Sequence, residues 1–201
     1  MQAFATLSAL ALPLPEANID TDRILPSRFM QKWRKDGFGR YLFHDQRFDA
    51  AGQERPGFVF NDPAHRGACI LVAGANFGCG SSREQAVYAL VDYGIRAVIA
   101  PSFGDIFQAN ALKNGLLPVA LDHQAVGILL SLCATSPAVG ITIDLDAQTV
   151  AHPEIVPLSF PIDVFHKQLL LSGQDDITHT LGHAGDIDRF ETARRRAAPW
   201  L

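Results

Sequence analysis

Residues 74–85 read Gly74-Ala75-Asn76-Phe77-Gly78-Cys79-Gly80-Ser81-Ser82-Arg83-Glu84-Gln85 and gather most of the chain's chemistry. Two hydroxyls and one permanently charged guanidinium follow a loop with three glycines, where a helical pattern begins. A helix start offers free N–H groups and positive potential, and arginine grips a carboxylate through two parallel hydrogen bonds. The combination suits binding and chemistry on a carboxylate. A structural explanation competes with it. Ser81 and Glu84 match a capping box, with Ser81 at the cap and Glu84 reaching back. That account leaves Arg83 unexplained, because a cation in the first turn opposes the helix dipole. An anionic partner is expected for it: Glu84, Asp22 or a ligand.

Competing motifs fail on their own spacing. Gly78 and Gly80 supply the first two glycines of a dinucleotide fingerprint, but Arg83 stands at the third, and Ala100-Pro101-Ser102 ends the next strand without an acidic residue. A phosphate-binding P-loop needs a Gly-Lys-Ser/Thr that is missing. A hydrolase nucleophile elbow at Ser82 has Gly80 but meets Glu84 where its last glycine belongs.

The elements that position this loop follow from periodicity. Cys69 to Ala73 reads as a strand entering the loop, and Ser82 to Tyr93 as the helix leaving it. Ala86, Ala89, Leu90 and Tyr93 form an inward stripe there, and Gly94 is a natural stop. Arg96 to Ala100, Asp105 to Asn114 and Leu116 to Leu121 continue as strand, helix and strand, with Gly115 between the last two. Strand–helix–strand–helix–strand implies parallel pairing through right-handed crossovers. Ala3 to Leu12 reads as one further strand, and Asp122 caps a helix to Cys133. Toward the end, Ile141–Leu145 and Thr149-Val150 flank a turn as a hairpin, which Ile155–Phe160 extends; Asp163–Leu171 and His183–Arg196 read as helices. Residues 27–67 are the least regular part, mixing aromatics with cations. They read equally as a binding loop or as an excursion pinned to the core by its rings. No repeat or low-complexity linker divides the chain, so one domain over 1–201 is expected.

Composition narrows the classes. The 201 residues are 48% hydrophobic and carry a net charge of −4, which argues against a nucleic-acid binder needing a basic face. Arg194-Arg195-Arg196 is the one dense basic run and reads as the solvated end of a helix. No apolar run approaches the ~20 residues of a membrane-spanning helix, and residues 1–14 lack the basic start of a signal peptide. Cys69, Cys79 and Cys133 share no short spacing, which fits a reduced cytoplasmic setting and argues against a cluster or metal site built by this chain alone. Cys79 reads as a small residue allowing close approach rather than a reactive thiol. His179 and His183 read as solvent-facing rather than as metal ligands, and Asp175-Asp176 as a turn or cap.

Several ordered blocks carry a resemblance. Gly80-Ser81-Ser82-Arg83-Glu84 after Asn-Phe-Gly resembles the mobile C-terminal domain of the aconitase superfamily. Asn18-Ile19-Asp20-Thr21-Asp22-Arg23-Ile24-Leu25-Pro26 matches its N-terminal Asp-Thr-Asp block. Ser102 to Phe107, Asn110 and Lys113 to Pro118 match the segment after the next strand. Leu170 to Ile177 and Pro199-Trp200-Leu201 are similar to the bacterial small subunits of 3-isopropylmalate dehydratases. The family has His after Arg-Glu, where this chain has Gln85.

The resemblance implies an α/β fold, a swivelling β/β/α three-layer domain with a parallel centre. It implies a hydro-lyase subunit working with a large subunit that holds a [4Fe–4S] cluster on its own cysteines, with no cofactor on this chain. The reaction would interconvert 2-isopropylmalate and 3-isopropylmalate through 2-isopropylmaleate in leucine biosynthesis. Ser81 would be the base on the carbon-bound proton, Ser82 and Arg83 would hold substrate carboxylate, and Asp22 would orient groups there. The partner's open iron would act as Lewis acid on the leaving hydroxyl. Phe38, Leu42 and Phe43 are candidates to shape the pocket for the isopropyl group. Related hydro-lyases acting on citraconate, homoaconitate or dimethylmalate would share the serine–arginine site and differ in that pocket. A non-catalytic assembly or regulatory module on the same fold is the alternative from another class.

Overall fold

A computed structural model describes residues 1–198 and Trp200; the Pro199 and Leu201 of the terminal match lie outside the described residues. Two four-stranded sheets carry the architecture. The N-terminal apolar stretch, expected as one strand, divides into β1 (Thr6–Ala9) and β2 (Ala11–Leu14), which enter different sheets. Burial explains the division: β1 alternates between exposed and half-buried residues, whereas β2 is buried at three of four positions. Pro13 is tolerated in β2 because that strand lies at the edge of its sheet, where a missing N–H costs no central ladder bond.

After β2 come two one-turn helices, α1 (Thr21–Ile24) and α2 (His44–Arg47), and five short 3-10 turns between Ser27 and His65. The parallel sheet then builds as β3 (Ile70–Ala73), α3 (Glu84–Tyr93), β4 (Ala97–Ala100), α4 (Asp105–Lys113) and β5 (Leu117–Ala120). Its order is β2-β3-β4-β5, every pair parallel, as the alternation of strands and helices predicts. Helix α5 (His123–Thr135) is capped by Asp122, whose carboxylate accepts from the Ala125 N–H at 2.7 Å. The expected hairpin forms from β6 (Ile141–Asp144) and β7 (Thr149–His152), and β8 (Ile155–Ser159) extends it. What the local pattern does not reveal is that β1 pairs antiparallel with β6, completing the sheet β1-β6-β7-β8. Helices α6 (Val164–Ser172), α7 (Asp176–Leu181) and α8 (Ala184–Ala197) follow. Asp175-Asp176, read as a turn or cap, is a cap: Asp175 accepts from the Thr178 N–H and starts α7, a helix too short to stand out in the sequence pattern.

The parallel strands are buried on both faces, and their alternation sorts two apolar layers. Leu71, Ala73, Val98 and Ala100 face α3, α4 and the 27–67 excursion. Ile70, Val72, Ala97 and Ile99 face α5 and the antiparallel sheet, through Val126, Leu129, Ile143 and Val150. The sheets and the α3–α4 layer therefore stack as antiparallel sheet, parallel sheet and helices. The excursion is pinned by its rings: Phe43 packs against Phe58 and Phe60, and Phe29 stacks on Tyr41 at 4.3 Å. Arg47, buried beneath it, donates to the Gly39 and Leu42 carbonyls at 3.5 and 3.4 Å and lies over the Tyr93 ring.

Candidate active site

Three loops leave the C-terminal ends of β2, β3 and β4 and meet there, where parallel sheets place their ligand sites. Backbone hydrogen bonds fasten them side by side. The Gly78 N–H donates to the Ile19 carbonyl at 2.7 Å, and the Thr21 N–H to the Cys79 carbonyl at 3.0 Å. On the other flank the Phe77 N–H reaches the Ser102 carbonyl at 3.0 Å, and the Gly104 N–H returns to the Phe77 carbonyl at 2.9 Å. Side chains add a second set. Asn76 Nδ2 donates to Asn18 Oδ1 at 2.8 Å, the Asn76 N–H to Ser102 Oγ at 2.9 Å, and Thr21 Oγ1 to the Ser81 carbonyl at 3.0 Å. The central loop thus behaves as an added strand between its neighbours.

Gly78 shows why this sequence folds so locally. Its φ is +72°, and a Cβ there would sit 2.2 Å from Cγ of the buried Phe107 ring. Phe107 in turn packs edge-on against Phe77, with centroids 5.3 Å apart, and stacks beside Phe103. The loop is laid on an aromatic floor that only glycine can approach so closely.

The capping box does not form. Helix α3 begins at Glu84, not Ser82; Arg83 occupies the cap position without a side-chain cap bond. Ser81 and Ser82 are consequently in the loop, exposed, ahead of the helix start. Among the three anionic partners expected for Arg83, Asp22 is the one it meets, forming an ion pair through Arg83 Nη1 and Asp22 Oδ1. The two aspartates of the Asp-Thr-Asp block divide their tasks. Asp20 caps α1, accepting from the Arg23 N–H at 2.7 Å, which leaves Asp22 to face Arg83. The Arg83 side chain is 15% exposed and Asp22 is 53% exposed, so the guanidinium is held by protein while its counter-ion stays open to exchange. A ligand carboxylate can compete for the same donors.

Gly78, Cys79, Gly80, Ser81, Ile106 and Phe107 border a cleft of about 170 Å³, smaller than the ~300 Å³ at which ligand pockets begin. These residues form its wall. Cys79 is half-buried in that wall, and Gln85 is half-buried in the first turn of α3. Phe38, Leu42 and Phe43, expected to shape a pocket, are instead buried in the core at 2%, 0% and 0% exposure. The excursion needs them to close its own aromatic cluster, so they present no surface to a ligand here.

Other candidates take structural places. His179 and His183 stack edge-to-face at 5.2 Å, and among the described residues no three potential ligand side chains group to hold a metal ion. Arg194, Arg195 and Arg196 lie exposed in the last turn of α8, as the dipole favours. Among the described residues no helix is long and apolar enough to cross a membrane. The contacts that sequence reasoning missed are long-range: Thr21 with Ser81, Asn18 with Asn76, and Glu84 with Asn114. Their only trace was that these residues fell inside the matching blocks.

Comparison with known proteins agrees with this geometry. The aconitase C-terminal domain model matches residues 1–124, and the model for the C-terminal domain of the 3-isopropylmalate dehydratase small subunit matches residues 176–201. A 3-isopropylmalate dehydratase small subunit from Dinoroseobacter shibae is 47% identical over 201 residues, covering all of both chains. One from Phenylobacterium zucineum is 49% identical, covering all of this chain and 98% of its own. The crystal structure of a 3-isopropylmalate dehydratase from Methanocaldococcus jannaschii superimposes with a TM-score of 0.64 at 25% identity, covering 92% of this chain and 98% of that one. With the serine–arginine loop set on a parallel sheet of matching fold, and likeness along its full length, the chain belongs to the aconitase C-terminal domain family, among the 3-isopropylmalate dehydratase small subunits.

Proposed function

We propose that the chain is the small subunit of a 3-isopropylmalate dehydratase, binding substrate carboxylate and moving the carbon-bound proton in a site that a large subunit must complete. The observation that carries this reading is Arg83, held by Asp22 and set directly after Ser81 and Ser82, with Ser81 lining a cleft too small to enclose a substrate alone. Arg83 takes the substrate carboxylate in a bidentate grip, with Ser82 as a further donor, and Asp22 holds the guanidinium in its plane. Ser81 Oγ, as alkoxide, removes the proton from the carbon beside the one that loses hydroxide. The electron pair forms the double bond of 2-isopropylmaleate as the carbon–oxygen bond breaks, and the hydroxyl leaves as hydroxide while Ser81 keeps the proton. Rehydration with the proton returned to the other carbon gives the isomer, so atoms balance across the two half-reactions.

A serine is a weak base in water, and exclusion of water by a partner strengthens every stabilising charge around it. Among the described residues the three cysteines do not gather with other potential ligands, which supports assigning the [4Fe–4S] cluster to the partner. The two sheets share one apolar layer, which supports a single domain over 1–201. A cytoplasmic location follows from the same reading.

The test combines the chain with a cluster-bearing large subunit and follows 2-isopropylmaleate absorbance. Wild type turns over only when both are present. Ser81→Ala assembles normally and loses about three orders of magnitude or more in kcat, the scale of a missing acid–base group and its oriented contacts. Unchanged turnover by Ser81→Ala refutes the assignment and favours an assembly module; turnover by this chain alone refutes it as well.

A further inference from the structure

The Glu84 carboxylate, expected to turn back toward Ser81, points to a different helix. It accepts from Asn114 Nδ2 at 2.8 Å, and the same amide nitrogen donates to the Asn110 carbonyl at 2.9 Å. The amide oxygen of Asn114 accepts from Arg34 Nη1 at 3.4 Å. Each pole of a neutral amide therefore faces the charge that suits it, a carboxylate at one end and a guanidinium at the other. The Arg34 guanidinium also lies 3.7 Å above the ring centroid of Tyr88, one turn along α3 from Glu84. Burial raises the Tyr88 hydroxyl above its ordinary pKa, and the Glu84 charge adds to the rise.

Arg34 comes from the 27–67 excursion, Asn114 from the end of α4 and Glu84 from the first turn of α3. A second fastening lies further along: the Phe38 N–H donates to the Asp92 carboxylate at 2.9 Å, and a Cβ on Gly39 would press within 2.7 Å of the Asp92 and Tyr93 backbone. The helix start itself has no side-chain cap. Something other than local capping must hold the turn that carries Arg83.

We propose that Glu84 is a positioning residue for Arg83: its bond to Asn114 fixes the first turn of α3 to α4, and Arg34 extends that hold to the excursion. The role rests on Arg83 as the carboxylate donor. Glu84 touches no substrate; it determines where its neighbour's guanidinium waits. Arg34 makes the excursion's seating part of the same setting, so a shift of that segment is felt at the substrate carboxylate.

The experiment uses the chain reconstituted with its large subunit and measures kcat, KM and melting temperature. Glu84→Ala raises KM about tenfold with kcat changed less than about threefold, the signature of lost ground-state positioning. Glu84→Gln, whose amide oxygen still accepts from Asn114, restores KM to within about twofold of wild type. Asn114→Asp sets a second carboxylate against Glu84 and matches the alanine variant, and Arg34→Ala raises KM about threefold. A lower melting temperature for Glu84→Ala with KM unmoved assigns a purely structural bond and overturns the proposal. So does a glutamine variant as impaired as alanine. Arg83→Ala separates the two levels: if it leaves KM unchanged, the carboxylate reading itself fails. If it raises KM more than about a hundredfold while Glu84→Ala leaves KM unmoved, only the positioning role fails.

Discussion

Gly78→Ala is the sharpest perturbation of the candidate site, because its two costs can be separated within the same molecule. Gly52 has nearly the same backbone, φ +77° against +72°, but nothing lies within 4 Å of a Cβ built there. Gly52→Ala therefore reads the left-handed backbone cost alone, about 1–2 kcal/mol. Gly78→Ala adds a methyl 2.2 Å from Cγ and 2.7 Å from Cβ of Phe107, a ring buried at 3% exposure against Phe77 and Phe103. Forcing that floor apart costs about 1–3 kcal/mol more. For a chain of this length about 2–4 °C of melting temperature accompanies each kcal/mol. Gly52→Ala should then lower the midpoint by about 2–8 °C, and Gly78→Ala by about 4–20 °C. Thermal melts of the isolated chain by circular dichroism measure both, and Phe107→Ala in each background completes the cycle. The packing part of the Gly78 cost shrinks when the ring is removed; the Gly52 cost does not. Equal midpoints for Gly52→Ala and Gly78→Ala would show that the loop does not rest on Phe107, and the account of the site's floor would fall.

Asp22→Asn removes the counter-ion of Arg83, but Asp22 is half-exposed, so stability should change by less than about 1 kcal/mol while KM rises about tenfold; a melt and steady-state kinetics on the reconstituted enzyme check the pair. Burial pushes the Cys133 thiol up from 9.0 to about 11. Its folded pKa lies above its unfolded value, so the associated stability is intact below pH 9 and is lost as pH rises toward 11; Cys133→Ala should flatten that part of a stability–pH curve. Asp122→Ala deletes the cap on α5 and should cost about 1 kcal/mol, or about 2–4 °C, by thermal melt.

Legibility in the sequence tracked the range of the interactions. The parallel centre could be read because each strand is a short apolar run and each helix ends at a recognisable stop, as at Gly94, whose φ is +112°. The Asp122 cap and the hairpin were equally local. The division of the N-terminal strand was not, because Leu10 is apolar like its neighbours and only the pairing of β1 with β6 distinguishes the two halves. At the site, residue types pointed to Arg83 and Asp22, and the geometry brings them together. Ser81 matched a cap by spacing, yet α3 starts two residues later than expected and Glu84 bonds Asn114 instead of turning back. Phe38, Leu42 and Phe43 were misplaced for a related reason. An aromatic in an irregular segment looks available until the other rings of its cluster are located.

The split between β1 and β2 also sets a schedule for the nascent chain. Thr6 pairs opposite Asp144, and their side chains are 138 positions apart. At about 5–20 residues per second a ribosome needs roughly 7–28 s between making the first strand and making its neighbour. By the end of that interval the parallel sheet has all its strands, while β1 has waited throughout with no ladder to join. β1 is made before every strand of the parallel sheet and is among the last able to dock, so an open strand edge waits while the centre is completed.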